Sequence, residues 1–117
     1  MEDGLRDGRV VSDKPYRPNV GIALFSRAGK VWAGKARSGG PEIVEPGHEW
    51  QMPQGGVDPG EEIVAAARRE LAEETGARSV ELLAVTQDWL PYDFPPYDGP
   101  PHRLCAWRGQ TQRWVAF

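Results

Sequence analysis

The chain has 117 residues, a hydrophobic fraction of 39% with five tryptophans, and a formal net charge of −3. That is material for one domain around one core. The acidic balance excludes sequence-independent coating of nucleic acid, which takes many cationic contacts, but not a grip on a strand end by a few local cations. A single cysteine, Cys105, excludes an internal disulfide and points to a reducing compartment.

The opening MEDGLRDGRVVSDK has no apolar stretch of the signal-peptide kind. The longest apolar run, Val20 to Phe25, is too short to span a bilayer, so the expected compartment is the cytoplasm. Residues 1–14 read as a flexible leader and 15–117 as a single domain. Val20 to Ser26 and Lys30 to Lys35 read as two strands of a hairpin, turning at Arg27-Ala28-Gly29. Residues 36–49 read as a glycine- and proline-rich loop, and Trp50 to Pro53 as a short extended piece.

Gly55 to Ala77, GGVDPGEEIVAAARRELAEETGA, reads as a turn followed by a helix from about Glu61 to Thr75, with Gly76 as its stop. At 100° per residue Ile63, Val64, Ala67 and Leu71 share the core-facing stripe. Glu70, Glu73 and Glu74 share an adjoining arc. They are arranged against ordinary helix rules: Glu70 and Glu74 repel at i, i+4, and two carboxylates occupy the last turn, where the helix dipole favours cations. Two readings stay open on this arithmetic alone, a solvated acidic face and a site for a hard divalent cation such as Mg²⁺.

Beyond the helix, Val80 to Asp88 reads as a strand and Pro91 to Pro101 as a proline- and aromatic-rich loop unsuited to a central strand. Arg103 to Trp107 and Gln112 to Phe117 read as two short strands, with Cys105 a small buried apolar residue. Trp50, Trp89 and Trp114 are read as core residues first and base-stacking platforms second. His48 and His102 receive no role. Hairpin, short strand, helix and further strands make an α+β domain.

Gly55, Glu61, Arg69-Glu70-Leu71, Glu73-Glu74 and Gly76-Ala77 stand at the spacing of the signature of the Nudix hydrolases, which this chain resembles. The resemblance implies a Nudix-type mixed β-sheet with its turn-helix, cleavage of nucleoside diphosphates linked to another group, and dependence on Mg²⁺ or Mn²⁺. It implies metal ligation by Glu70, Glu73 and Glu74, with the backbone carbonyl of Gln54 or Gly55 completing a site. Glu70 is the expected base, and more than one metal ion is expected. Arg69 is implied as partner to the signature carboxylates, Glu61 among them.

Four further segments narrow the resemblance: Tyr16 to Gly21, Trp50 to Gly56, Asp88-Trp89-Leu90 and Arg108 to Trp114. These are similar to bacterial RNA pyrophosphohydrolases, also described as dinucleoside polyphosphate hydrolases. The activity implied is removal of pyrophosphate from the 5′-triphosphate end of RNA. The alternatives are hydrolysis of diadenosine polyphosphates and a non-catalytic domain that binds nucleotides or RNA ends. The substrate-binding positions implied are Arg17, Lys35 and Arg113, the last replacing a lysine. Two departures stand out. Gln87 and Pro91 alter the Asp-Trp-Leu segment, and the family pattern continues past Phe117 through another acidic residue, a strand and a helix. The sequence therefore reads as a C-terminally incomplete domain.

Overall fold

The computed structural model describes residues 4–6, 9–11, 13–35 and 50–117; the loop 36–49, with His48, lies outside them. Two eight-residue strands form its axis, β3 (Tyr16–Ala23) and β9 (Gly109–Ala116). They run parallel in unbroken register from Tyr16↔Gly109 to Ala23↔Ala116. Parallel neighbours need a long crossover connection, and it carries every remaining element of the site. β6 (Gln54–Gly56) pairs antiparallel with the free edge of β3. The other edge of β9 takes β7 (Ala84–Val85) and β8 (Leu90–Asp93), both antiparallel. The mixed five-stranded sheet runs β6-β3-β9-β7, with β8 also on β9.

Alternate residues of a strand face opposite sides of the sheet. Val20 and Ile22 of β3, with Val115 of β9 and Phe117 just past it, are at most 4% exposed. The helix α1 (Ile63–Thr75) packs on them through Ile63, Ala66, Ala67 and Leu71. The intervening residues Asn19, Gln110 and Gln112 are also buried but polar. One face is the core; the other is a floor of amides.

The helix begins at Ile63, two residues later than the sequence suggests, because both glutamates before it are occupied elsewhere. Glu62 is the N-cap, its carboxylate accepting the Ala65 N–H at 2.7 Å. Glu61 accepts the Asp58 N–H in the preceding turn. At the other end Gly76 takes φ +78°, a conformation costly for residues with a Cβ, and its N–H bonds the Ala72 carbonyl. Val64, assigned to the core stripe, is only partly buried, and Ala66 is fully buried in the same core.

Elsewhere the sequence reading needs correction. The hairpin after β3 forms, with Ser26 and Lys30 flanking Arg27-Ala28-Gly29 and a bridge between Phe25 and Val31. Its second arm does not extend the main sheet: β4 (Gly34–Lys35) pairs with β5 (Trp50–Gln51) in a separate two-stranded ladder. Of Val80 to Asp88 only β7 is strand, since at Thr86 the hydroxyl takes the Trp114 N–H in place of a backbone carbonyl. Pro91 does enter a strand, β8, at the sheet margin where a missing N–H is tolerated. Arg103 to Trp107 is not a strand. Arg103–Ala106 is a 3-10 helix, started by His102, whose Nδ1 accepts the Leu104 N–H at 3.1 Å. Cys105 sits there half-buried, not in a strand. The leader holds a short ladder of β1 (Gly4–Arg6) and β2 (Arg9–Val11).

Candidate active site

The site forms where α1 passes the β6 edge. Its cavity, about 380 Å³, is lined by an acidic wall of Glu70, Glu73 and Glu74, by Arg17 and Arg103, and by the amides of Asn19, Gln54 and Gln110. Gly55 leaves room for the Glu70 side chain. A Cβ there would stand 2.0 Å from the Glu70 carboxyl carbon, so any side chain would drive the carboxylate out of its seat.

Arg69 ties the turn to the helix. Its Nε and Nη2 donate to the two Glu61 oxygens at 2.9 and 2.8 Å, a bidentate pairing. Nη2 also reaches the Gly56 carbonyl at 3.0 Å, and Nη1 donates to Glu70 Oε1 at 2.7 Å. The partnership with Glu61 implied by the resemblance is present. It holds the Glu61 carboxyl down at about 2, with a backbone N–H bond from Asp58 adding to the effect. Glu61 and Glu70 in turn raise the Arg69 guanidinium above its usual range.

Glu74 behaves oppositely. Burial pushes its carboxyl above the usual range, a hydrogen bond from the Gln54 backbone opposes this, and the charges of Glu70 and Glu73 raise it further. Three carboxylates thus line one cavity and repel, with Glu70 bonded to Arg69 at 2.7 Å and Glu73 within 3.7 Å of the same guanidinium. Among the described residues no three acidic, histidine or cysteine side chains are drawn together into a closed ligand set. In donor chemistry the wall fits a hard divalent ion, which takes carboxylate and carbonyl oxygen and would relieve the repulsion on Glu74.

The floor is a chain of amides. Gln110 Oε1 accepts from both Arg17 Nη1 and Asn19 Nδ2 at 2.9 Å. Gln112 Nε2 donates to Asn19 Oδ1 at 2.8 Å and Gln54 Oε1 at 3.1 Å. Gln54 Nε2 donates to Gln51 Oε1 at 3.2 Å, and Gln110 Nε2 donates to the Tyr92 hydroxyl. These bonds fix Arg17, which also lies against Gly56, where a Cβ would stand 2.6 Å from its Nη2.

Of the residues singled out from sequence, the fold brings Arg17, Gly55, Glu70, Glu73 and Glu74 to one cavity, with Arg69 behind them. Arg113 and Lys35 are not among its lining. Arg113 belongs to the core-facing register of β9, donates twice to the Thr86 carbonyl at 2.8 and 2.9 Å, and lies 6.0 Å from the Trp89 ring. Its placement is that of a brace across the break between β7 and β8. Lys35 is exposed on β4. Trp50 is 64% and Trp89 43% exposed, and neither is core; half-buried Trp114 packs its ring on Gly21. Sequence reasoning missed Asn19, Gln110, Gln112 and Arg103. No alternation on β9 announced the glutamines: the opposite parity carries Thr111 and Arg113 as well as Val115.

The family model for the NUDIX domain matches residues 15–114. An RNA pyrophosphohydrolase of Azorhizobium caulinodans is 53% identical over 106 residues, covering 91% of this chain and 62% of that protein. One of Bradyrhizobium sp. is 54% identical over 104 residues, covering 89% and 61%. The chain thus spans about three-fifths of the length of these relatives. Among solved structures, the C. elegans Ap4A hydrolase matches with TM-score 0.51 and 22% identity, over 86% of this chain and 66% of that one; that likeness concerns the fold. With its signature turn and helix set at the edge of a mixed sheet, the chain belongs to the Nudix family.

Proposed function

We propose that the protein is a metal-dependent pyrophosphohydrolase that removes pyrophosphate from the 5′-triphosphate end of RNA, acting in the cytoplasm with Mg²⁺ or Mn²⁺. The observation that carries this reading is the cavity itself, which gathers three carboxylates, two arginines and a set of amides in one lining. Such a site suits a polyanion only in company with cations. Identities above 50% to proteins named RNA pyrophosphohydrolase support RNA as the substrate.

Glu70, Glu73 and Glu74, with the Gly55 carbonyl, would hold the metal. When bound, it would neutralise phosphate charge and make water a stronger nucleophile at neutral pH. Glu70 is the proposed base, accepting the proton of the water that attacks phosphorus as the phosphoanhydride bond breaks and pyrophosphate departs. Arg17 and Arg103 face the phosphate oxygens. Arg17 is held by Gln110, so its guanidinium is oriented before substrate arrives. Arg69 anchors Glu70 and the turn through Glu61. Among the described residues no helix is long and apolar enough to cross a membrane.

The test is pyrophosphate release from 5′-triphosphorylated RNA, beside hydrolysis of diadenosine tetraphosphate, in Mg²⁺ and in EDTA. The expected result is Mg²⁺-dependent turnover with kcat/KM favouring RNA. Preference for the dinucleotide would reassign the substrate. Metal-dependent binding of both without turnover of either would make this a binding domain.

A further inference from the structure

The 3-10 helix Arg103–Ala106 stands between two cavities, and Leu104 lines both. The second, about 260 Å³, has no part in the phosphate chemistry above. Its walls carry three aromatic rings, Phe94, Tyr97 and Trp107, flanked by Lys14 and Arg108. All three rings are half-buried, each keeping part of its surface uncovered. The backbone that carries two of them is pinned, and the third is bonded through its own side chain. The Phe94 N–H bonds the Arg108 carbonyl at 2.9 Å and the Trp107 N–H the Leu104 carbonyl at 3.1 Å. The Tyr97 hydroxyl donates to the Pro100 carbonyl at 2.6 Å, and its ring lies over Gly99, where a Cβ would come within 2.7 Å.

The two cationic side chains are fixed as well. Lys14 Nζ donates to the Cys105 carbonyl at 2.8 Å. The Arg108 guanidinium lies over the Tyr16 ring at 4.7 Å and pairs with Asp93 at 3.1 Å. The second cavity is also joined to the floor of the first. Phe94 meets Tyr92 edge to face at 6.1 Å, and the Tyr92 hydroxyl accepts from Gln110.

We infer that this cavity is a nucleobase subsite, taking the base attached to the polyphosphate whose phosphates lie beyond Leu104; the inference rests on the nucleotide reading of the first cavity. A ring system without charge preference is what aromatic platforms accept, since every base offers a π-face. Cations beside the rings suit the adjoining phosphate and strengthen contact with the ring faces. The volume lies below the roughly 300–1,000 Å³ of drug-sized pockets, which suits one base and not a dinucleotide.

The test uses NMR of the intact protein, following the Trp107 indole resonance, assigned by its disappearance in Trp107→Phe. Adenosine 5′-monophosphate should shift that resonance, and ribose 5-phosphate, which lacks the base, should not. Tyr97→Ala should raise the apparent Kd for the nucleotide about tenfold, and Tyr97→Phe, which keeps the ring, should restore it. Melting curves restrict the comparison to folded variants. Equal responses to both probes, or a Kd indifferent to Tyr97→Ala, would overturn the subsite. None of these readings needs turnover. Nucleotide binding at Trp107 in a protein that hydrolyses nothing would remove the hydrolase reading and keep the subsite. RNA hydrolysis with an unresponsive Trp107 and an unchanged KM in Tyr97→Ala would do the reverse.

Discussion

The two faces of the central sheet are built from the same strands and do opposite work. On one, Val20, Ile22 and Val115 lie under the helix with no polar side chain among the buried set. On the other, Asn19, Gln110 and Gln112 are buried to nearly the same degree, and each is hydrogen-bonded to its neighbours. Apolar burial is non-directional, so the first face holds the helix without fixing any group to a tenth of an ångström. Amide hydrogen bonds are directional, and an unmade one is expensive when buried. The second face therefore orients Arg17 and Gln54, which the first could not do. Under the proposed function, stability resides mostly on one side and substrate geometry on the other, and the carboxylates hang from the edge between them.

Substitutions can break or sharpen that division. The largest effect is expected from Glu73→Gln. Changing even an outer-sphere partner of a metal ligand typically costs 10–100-fold, so a direct ligand should cost at least about 100-fold in kcat/KM. The melting temperature should change little, since the substitution removes both a charge that repels Glu74 and a loose 3.7 Å pairing with Arg69. Leu71→Ala should do the converse, lowering stability by about 2–5 kcal/mol in denaturant titration while the folded fraction keeps its KM. Gln112→Leu leaves Asn19 and Gln54 short of a donor, at about 1–3 kcal/mol; here KM should rise too, because the floor positions Arg17 through Asn19 and Gln110. A KM unchanged in Gln112→Leu would dissolve the contrast between the faces.

Acid should expose the tie between turn and helix. The Glu61 carboxyl sits at about 2 in the folded chain against an ordinary 4.5. A depressed carboxyl adds stability above its unfolded value and loses it as pH falls through the folded one. This contribution should be whole above about pH 5 and fade toward pH 2. Glu61→Gln should flatten that part of an acid-unfolding curve. Lys35→Ala should have the smallest effect: exposed and outside the cavity lining, it should leave stability within about 0.5 kcal/mol. A rise in KM matching that of an Arg17 variant would return Lys35 to the site.

What the sequence disclosed follows the same division. The acidic wall was legible because Gly55, Glu61, Arg69, Glu70, Glu73 and Glu74 lie within twenty residues, and helix periodicity alone places three of them together. The floor was not, since Asn19 and Gln110 are separated by 91 positions. Their meeting depends on β3 and β9 running parallel, which no local pattern announces. Gln110 and Gln112 stood in view as part of a family segment without a role. Arg113 stands apart for a related reason: its charge was visible, but its parity on β9 puts it on the core side, where it braces Thr86. The 3-10 helix was read as strand because its apolar residues carry no period over so few positions, and the capping histidine was not weighed.

The most direct test of the account is the Mg²⁺ dependence of pyrophosphate release from 5′-triphosphorylated RNA, measured for the wild type and for Glu70→Gln, Glu73→Gln and Glu74→Gln. The expected result is saturable activation by Mg²⁺, abolished by EDTA, with every variant needing more metal or losing turnover while melting as a folded protein. Turnover that ignores EDTA and survives all three substitutions would contradict it.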